Sequence, residues 1–590
     1  MSTNEPAFTN RNTLWAECFV DELARSGLKH VCIAPGSRST ALTLAFARHP
    51  DIQDYVHLDE RSAAFFALGI ALRLREAVAL VCTSGSAIAN FFPAIVEAYQ
   101  SEIPLIVLST DRPHELRGSG ANQTIHQPHF YGTYALWAYD LALPESHPPA
   151  IAIRNLRTTA NRAVAIATNP VRQGPVHLNF PFRKPLEPTP VPTDAQSLPD
   201  AAQARPNAAP YTRISGAGRV QADEQAIQRL AQHIHQSDKG IIVLGAETLD
   251  EASLQQIEKL SIRCGYPIFA DPLSGMRWRD SSDGAIIISA YETFLRDQNR
   301  LEKPQVILRF GGLPISRWLN EYLQNCQPAC DALIRPSGLW ADDAHVLTDL
   351  IQADIVSFCQ QISPHIQSRP DARYAQTVQA LDTQTWAALK QGFQQTGFFD
   401  GTLIPLVLDL LDPGSLIFAG NSLSVRHLDQ FGQSCPKALT AYGNRGASGI
   451  DGNVSTALGI ASVSPSKRLV AIMGDLTFYH DMNGLYACAT QQLPVIFIVV
   501  NNQGGGIFNR LPIRNYEPTF QTHFATEHAM NFEQAAAQYQ LHYFKVNHDA
   551  SAAHNFKQAF TKALQHPHAS LIEVSTDYVE DEQKRLHLLS

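Results

Sequence analysis

The chain has 590 residues, of which 45% are hydrophobic, 17% charged and 9% aromatic, and its formal net charge is −9. One hydrophobic core cannot serve a chain of this length, so about two to four domains of ordinary size are expected. The acidic balance argues against a nucleic-acid footprint or attachment to an anionic membrane, and anionic substrates would have to be held by local arginines against the global charge.

The N-terminus, MSTNEPAFTNRN, lacks the basic-then-apolar design of a signal peptide. The longest apolar run is VIFIVV at 495–500. A membrane helix needs roughly 20 such residues, so this run reads as a buried strand. Nine scattered cysteines suit a reducing cytoplasm. On a helix, Cys326 and Cys330 would share one face, but no second pair completes a metal site, and packing is the simpler reading.

In chain order, the first segment (1–185) carries the strand-like runs VCIAP, YVHL, VALVC and PLIVLST, with helical patterns such as SAAFFALGIALRL between them. Residues 186–212, rich in Pro and Ala, read as an extended linker. A middle segment (213–362) holds KGIIVLG, YPIFA and QVILRF, and a weaker break follows at 363–372. The last segment (375–590) holds GSLIFAG, KALTAY, RLVAIMG and VIFIVV. Strands that are apolar throughout and alternate with helices predict parallel sheets covered on both faces, here three doubly wound α/β domains. Ligands bind such sheets where strands end and helices begin.

The last segment has the sharpest signal. RLVAIM ends in Gly474-Asp475-Leu476, and VIFIVV ends in Asn501-Asn502, followed by Gly504-Gly505-Gly506. Both groups therefore lie at one edge of one sheet. Asp475 offers a carboxylate oxygen, Asn502 an amide oxygen, and the glycines let a backbone carbonyl at Gly504 come close. That set suits a magnesium ion, which takes six oxygens and few of them from protein. The helix start after Asp475 favours a diphosphate. Either piece alone reads as a helix cap or an Asn-Asn turn; the two together, 24 residues apart, are much rarer.

This arrangement resembles the diphosphate-binding signature of thiamine-diphosphate enzymes, with Leu476 in place of their usual small residue. The resemblance implies an activating glutamate after a strand of a separate pyrimidine-binding domain, and YVHLDERSAAFFALGIA supplies Glu60. Its implied job is to share a proton with the cofactor's aminopyrimidine ring. Read without the resemblance, it is a Glu in a helix's first turn.

Further stretches narrow the family: APGSRSTALTLA, TSGSAIANFFPAIVEA, STDRPHELRGSGANQTIHQ, GNSLSVR, NRGASGIDG and NNQGGGIFNRLP. Together they resemble the menaquinone-pathway synthases that make 2-succinyl-5-enolpyruvyl-6-hydroxy-3-cyclohexene-1-carboxylate. The resemblance implies decarboxylation of 2-oxoglutarate and conjugate addition of its four-carbon remainder to isochorismate. It also implies bound thiamine diphosphate with Mg2+ or Mn2+, and a homodimer or homotetramer with shared active sites. Arginines suit the two dicarboxylates. By motif match, Ser37, Arg38, Arg112, Asn122, Gln123, Ser422, Arg426 and Arg445 line the substrate pocket, and Ile507, Phe508 and Leu511 form its apolar wall. Arg317 is chosen for a middle-segment basic residue, where many relatives carry lysine. The implied cofactor contacts are Glu60, Gly446, Ala447, Ser448, Ile450, Gly474, Asp475, Leu476, Asn502, Gly504, Gly505 and Ile507, with Asp475, Asn502 and Gly504 on the metal. His57, His126 and His480 are read as packing or support.

Three rival readings fit the residues less well. Another 2-oxo-acid decarboxylase or acetohydroxyacid-type synthase would not need NRGASG and GNSLSVR together. A flavin or nicotinamide oxidoreductase would want a strand-G-x-G-x-x-G-helix fingerprint, which is absent. A non-catalytic homologue should have lost Glu60, Asp475 or Asn502, and all three are present.

Overall fold

The computed structural model describes residues 8–195, 197–216, 218–280, 284–369 and 372–589. Its strands fall into three six-stranded sheets. The first holds β1 (His30–Ile33), β2 (Gln53–Val56), β3 (Val78–Cys82), β4 (Leu105–Asp111), β5 (Trp137–Asp140) and β6 (Val176–Pro181), in the order β2-β1-β3-β4-β6-β5. The second holds β7 (Gly240–Leu244), β8 (Ile268–Ala270), β9 (Ile287–Ile288), β10 (Val306–Phe310), β11 (Cys330–Arg335) and β12 (Asp349–Gln352), in the order β12-β11-β10-β7-β8-β9. The third holds β13 (Leu416–Ala419), β14 (Thr440–Tyr442), β15 (Leu469–Gly474), β16 (Val495–Asn501), β17 (His542–Val546) and β18 (Ser570–Ser575), in the order β14-β13-β15-β16-β18-β17. Every pairing among them is parallel. The three doubly wound α/β sheets expected from the apolar runs are therefore present. Runs such as β3, β13 and β16 are buried along their whole length, as helices on both faces require.

The molecule packs as two compact units, each discontinuous in sequence. The first comprises residues up to Gly218 with Gly446–Val463 and Asp481–Ala487. It contains the first sheet and a core around Phe19, Val31, Leu108 and Leu178. The second comprises Arg219–Arg445, Ser464–His480 and the chain from Cys488 onward. In it, one continuous core runs from Ile241 and Phe269 of the second sheet to Ile417, Ile472 and Ile498 of the third.

Two helices explain why the first unit recruits distant sequence. The helix Glu60–Leu74 is buried without interruption from Ser62 to Ala71, and the helix Asn453–Ser462 from Asn453 to Ala461. A helix that is apolar all round must be covered all round. The two cross backbone to backbone at glycines. A Cβ on Gly69 would lie 2.1 Å from the Thr456 carbonyl oxygen, and one on Gly459 would lie 2.0 Å from that of Phe66.

The Pro/Ala-rich stretch is a strap bound to the first unit. Asn10 Nδ2 donates to the carbonyls of Glu187 and Thr189 at 2.8 and 3.1 Å, Arg11 pairs with Asp194 at 2.7 Å, and Leu186 and Ala202 enter the core. At the weaker break, a short turn at Ser363–His365 precedes the helix Arg373–Thr396, and residues 370 and 371 lie outside the described residues. Cys326 and Cys330 share no helix face: Gln327 caps the helix in the left-handed region, Cys330 opens β11, and both thiols are buried. No helix among the described residues is long and apolar enough to cross a membrane.

Candidate active site

In the first unit, β1, β2 and β4 each deliver a predicted residue beyond the same edge: Ser37 and Arg38, Glu60, and Arg112. Glu60 opens its helix, but Asp59 is the cap and accepts the N–H groups of Arg61 and Ser62 at 2.9 and 3.3 Å. The Glu60 carboxylate, relieved of capping, receives the Asn90 side-chain amide at 3.5 Å. Arg38 is buried and donates to the Phe182 carbonyl at 2.7 Å. Arg112 donates to the Ser84 hydroxyl. Burial lowers the pKa of both guanidiniums; Arg112 lowers that of Arg38 further, and Asp111 opposes. Arg117 and Asn179 engage the Asp111 carboxylate, both at 3.0 Å. Gln123 Nε2 donates to the Ser84 carbonyl at 2.9 Å, while Ser37 and Asn122 are exposed.

The predicted Gly446–Ile450 loop also belongs to this unit. The N–H groups of Gly446 and Ala447 donate to the two Glu97 carboxylate oxygens, each at 2.7 Å, and Ser101 Oγ adds a third bond at 2.9 Å. Ile450 is half-buried. His57 packs on Phe66 with ring centroids 4.4 Å apart, and burial pushes its pKa down to about 4.

In the second unit, Gly474 ends β15 and Asp475 starts the next helix. Asp475 Oδ2 accepts the Gly504 N–H at 3.1 Å, and Asn502 Oδ1 accepts the same N–H at 3.2 Å. The three predicted metal contacts thus converge on one amide. The other Asp475 oxygen accepts the Leu476 N–H at 2.6 Å. Burial raises the Asp475 pKa, opposed by these amides and by His528, whose Nε2 lies 3.3 Å from Oδ2. A Cβ on Gly504 would sit 2.2 Å from the Ala525 carbonyl oxygen, so only glycine lets the chain pass there, whereas a Cβ on Gly474 would meet nothing within 4 Å. A buried carboxylate and an amide oxygen gathered at one backbone amide can accept a hard cation carrying its own phosphate or water ligands.

Ser422 follows β13 with φ 71° and ψ −125°, a strained conformation for a residue other than glycine. Arg426 Nη1 donates back to its carbonyl at 2.5 Å. Arg445, beyond β14, donates to Asn421 Oδ1 at 2.7 Å. Burial and Arg445 lower the Arg426 pKa, and Glu292 opposes them. Two guanidiniums that repel one another at a strand edge are suited to anions. Ile507 and Phe508 lie in the turn Gly506–Arg510, with Phe508 edge-on to Phe524 at 5.7 Å, and Leu511 is 47% exposed. Arg317 is not drawn into this group. Its side chain is 79% exposed, 3.9 Å from Glu321 and over the Trp318 ring. Its neighbour Ser316 donates instead to Glu292 at 2.5 Å.

Four residues at these sites escaped the sequence reading: Glu97, Glu292, His528 and Arg510, which pairs with Glu582 at 2.9 Å. Glu97 had a legible signal, a single acid within the apolar helix FPAIVEAYQ. The others depend on contacts between distant segments.

Comparison with known proteins adds three family matches. Residues 15–130 match the N-terminal binding domain of thiamine pyrophosphate enzymes, 205–417 their middle domain and 425–574 their C-terminal binding domain. A 2-succinyl-5-enolpyruvyl-6-hydroxy-3-cyclohexene-1-carboxylate synthase of Roseiflexus castenholzii is 48% identical over 98% of both chains. Proteins of the same name from Haloquadratum walsbyi, 39% identical over 96% of both chains, and Bacillus cytotoxicus, 37% identical over 96% of this chain and 94% of its own, are also similar.

Proposed function

Because the chain belongs to the family of 2-succinyl-5-enolpyruvyl-6-hydroxy-3-cyclohexene-1-carboxylate synthases, built from thiamine-diphosphate-binding domains, we propose that it joins 2-oxoglutarate to isochorismate with loss of CO2 in menaquinone biosynthesis. The observation that carries this reading is the meeting of Asp475 and Asn502 at the Gly504 amide. That donor set fits a diphosphate-bound divalent ion, Mg2+ or Mn2+, held by Asp475 Oδ, Asn502 Oδ1 and the Gly504 backbone.

Bound thiamine diphosphate supplies an electron sink for loss of CO2 from a 2-oxo acid. In our reading, Glu60 would hold a proton at the cofactor's ring nitrogen, and Ile450 would pack against the cofactor. Gly446, Ala447, Ser448, Leu476 and Gly505 line it, and Ile507 and Phe508 shield it from water. Arg426 and Arg445, with Ser422, take carboxylates on one side of the reaction; Arg38 and Arg112, with Ser37, Asn122 and Gln123, take them on the other. Arg317, exposed beside Glu321, is assigned to a substrate carboxylate by its motif position alone. We assign 1–185 to pyrimidine binding, 213–362 to a central domain and 375–590 to diphosphate binding, in a cytoplasmic homodimer or homotetramer.

The test is to incubate the protein with 2-oxoglutarate, isochorismate, thiamine diphosphate and Mg2+ and to follow isochorismate. Its loss should require all the other components. Equal turnover with pyruvate and no need for isochorismate would favour an acetohydroxyacid-type synthase instead.

A further inference from the structure

Glu97 is a buried acid, 3% exposed, on the helix Phe92–Gln100. The Gly446 N–H donates to its Oε1 and the Ala447 N–H to its Oε2, each at 2.7 Å, and Ser101 Oγ donates to Oε1 at 2.9 Å. Bonds of this length to a carboxylate belong to the stronger class of hydrogen bond. A peptide unit is planar, so two anchored N–H groups fix two successive peptide planes. The chain is also pressed against the helix there. A Cβ on Gly446 would lie 2.6 Å from Ser101 Oγ and 2.8 Å from both Gln100 Cβ and the Glu97 carbonyl oxygen. At the loop's other end, the buried Asn453 side chain donates to the carbonyls of Gly449 and Asp451, at 3.1 and 2.9 Å. Ser448 stands between these two anchors with φ 60°, in the left-handed region, and Ile450 follows.

We infer that Glu97 is a positioning residue for the cofactor, holding the loop Gly446–Ile450 in its binding shape before thiamine diphosphate arrives. The inference deepens the proposed function and rests on reading that loop as a cofactor contact. A loop that must be ordered on binding subtracts its lost conformational entropy from the affinity, and a loop already ordered does not. The signature of Glu97 therefore belongs in cofactor affinity rather than in the rate of the loaded enzyme.

A glutamine at this position keeps the shape of the side chain but has one acceptor oxygen. Its NH2 faces the second N–H, so one anchor is replaced by two opposed donors. Ser101→Ala, by contrast, leaves both amide bonds in place.

The first measurement needs no variant. In the cofactor-free protein, hydrogen exchange read by mass spectrometry over residues 444–450 should show the Gly446 and Ala447 amides exchanging at least about 100-fold more slowly than free amides, although Ala447 is exposed. In Glu97→Gln that protection should fall at least about 10-fold. The calorimetric Kd for thiamine diphosphate with Mg2+ should rise about 10- to 100-fold in Glu97→Gln, with kcat at saturating cofactor within about 3-fold of wild type. Ser101→Ala should change Kd by less than about 3-fold. If the wild type binds no thiamine diphosphate, the reading of the loop fails and takes this inference with it. If the wild type binds it, free exchange of the two amides in the cofactor-free protein overturns the inference alone, even should Glu97→Gln fail to fold. An unchanged Kd in Glu97→Gln, whatever its melting temperature, or an equal loss in Ser101→Ala, does the same.

Discussion

The first and third sheets have the same strand order, but their corresponding strand ends carry different chemistry. After the first strand stand Ser37 and Arg38 in one and Ser422 and Arg426 in the other, so both sheets place a serine and an arginine there. After the second stand Glu60 and Arg445. After the third stand Ser84-Gly85 in the first sheet and Asp475 in the third, and after the fourth Arg112 and Asn502 respectively. Topology decides where side chains can act, and the residue types divide the work. One sheet offers cations and a single glutamate; the other offers cations and the hard oxygen donors. The middle sheet has a different strand order, and beside it lies the buried Arg277–Tyr291–Asp429 contact.

This division can be broken one strand end at a time. Asp475→Ala removes the charged oxygen of the metal set, and calorimetry with thiamine diphosphate and Mg2+ should show no binding and turnover should fall to background. Normal binding would end the metal assignment. Glu60→Gln should leave that binding intact and lower turnover by about 10²- to 10⁴-fold; a loss of only a few-fold would make Glu60 an ordinary first-turn acid. Arg426→Ala and Arg445→Ala should each cost about 1.5–3 kcal/mol in kcat/KM, roughly 10- to 150-fold, with little change in melting temperature. Equal losses of stability and activity would mark them as structural.

A fourth test sharpens the comparison from the stability side. Gly69→Ala forces a methyl against the Thr456 carbonyl and should destabilise the first unit by about 1–3 kcal/mol in denaturant melts, leaving the Asp475 region unaffected. The smallest effect concerns Asp581, which burial and then Asp400 push up from 3.8 to about 8. Its folded form prefers the proton, so the stability it contributes is complete below its unfolded value and is lost as pH rises through about 8. Asp581→Asn should therefore melt higher than wild type by about 1 kcal/mol at about pH 9, with the gain shrinking toward about pH 5. A gain independent of pH would mean that the carboxyl does not titrate there.

Sequence reading found the strands whose apolar runs are unbroken and passed over others for identifiable reasons. β6, β11 and β18 are buried but interrupted by His177 and Asn179, Asp331, and Glu573, each of which is satisfied by a partner on another strand: Ser109, Arg309 and Asn501. β5, β12 and β17 are edge strands, largely half-exposed or exposed, and their periodicity is weak. At the site, contiguous motifs were legible because strand ends keep functional residues close in sequence. Glu97 hydrogen-bonding to Gly446, or Ser316 to Glu292, joins segments that no local pattern connects. Arg317 shows how little a motif position says of surroundings: its side chain is exposed, while its neighbour Ser316 reaches Glu292.

The borrowed helix Asn453–Ser462 has a consequence for how the protein is made. The helix Glu60–Leu74 emerges early from the ribosome, but the covering helix is complete only after residue 462. From Gly218, the last residue of the unit's contiguous part, that is 462 − 218 = 244 residues of further synthesis, or roughly 12–50 s at 5–20 residues per second. Through that interval Ala63, Phe66, Ala67 and Ile70 have no partner helix, and the glycine crossing cannot form. The N-terminal region should therefore expose apolar surface until the chain's last third arrives, and a fragment ending in the second sheet should aggregate although all six strands of the first sheet are present.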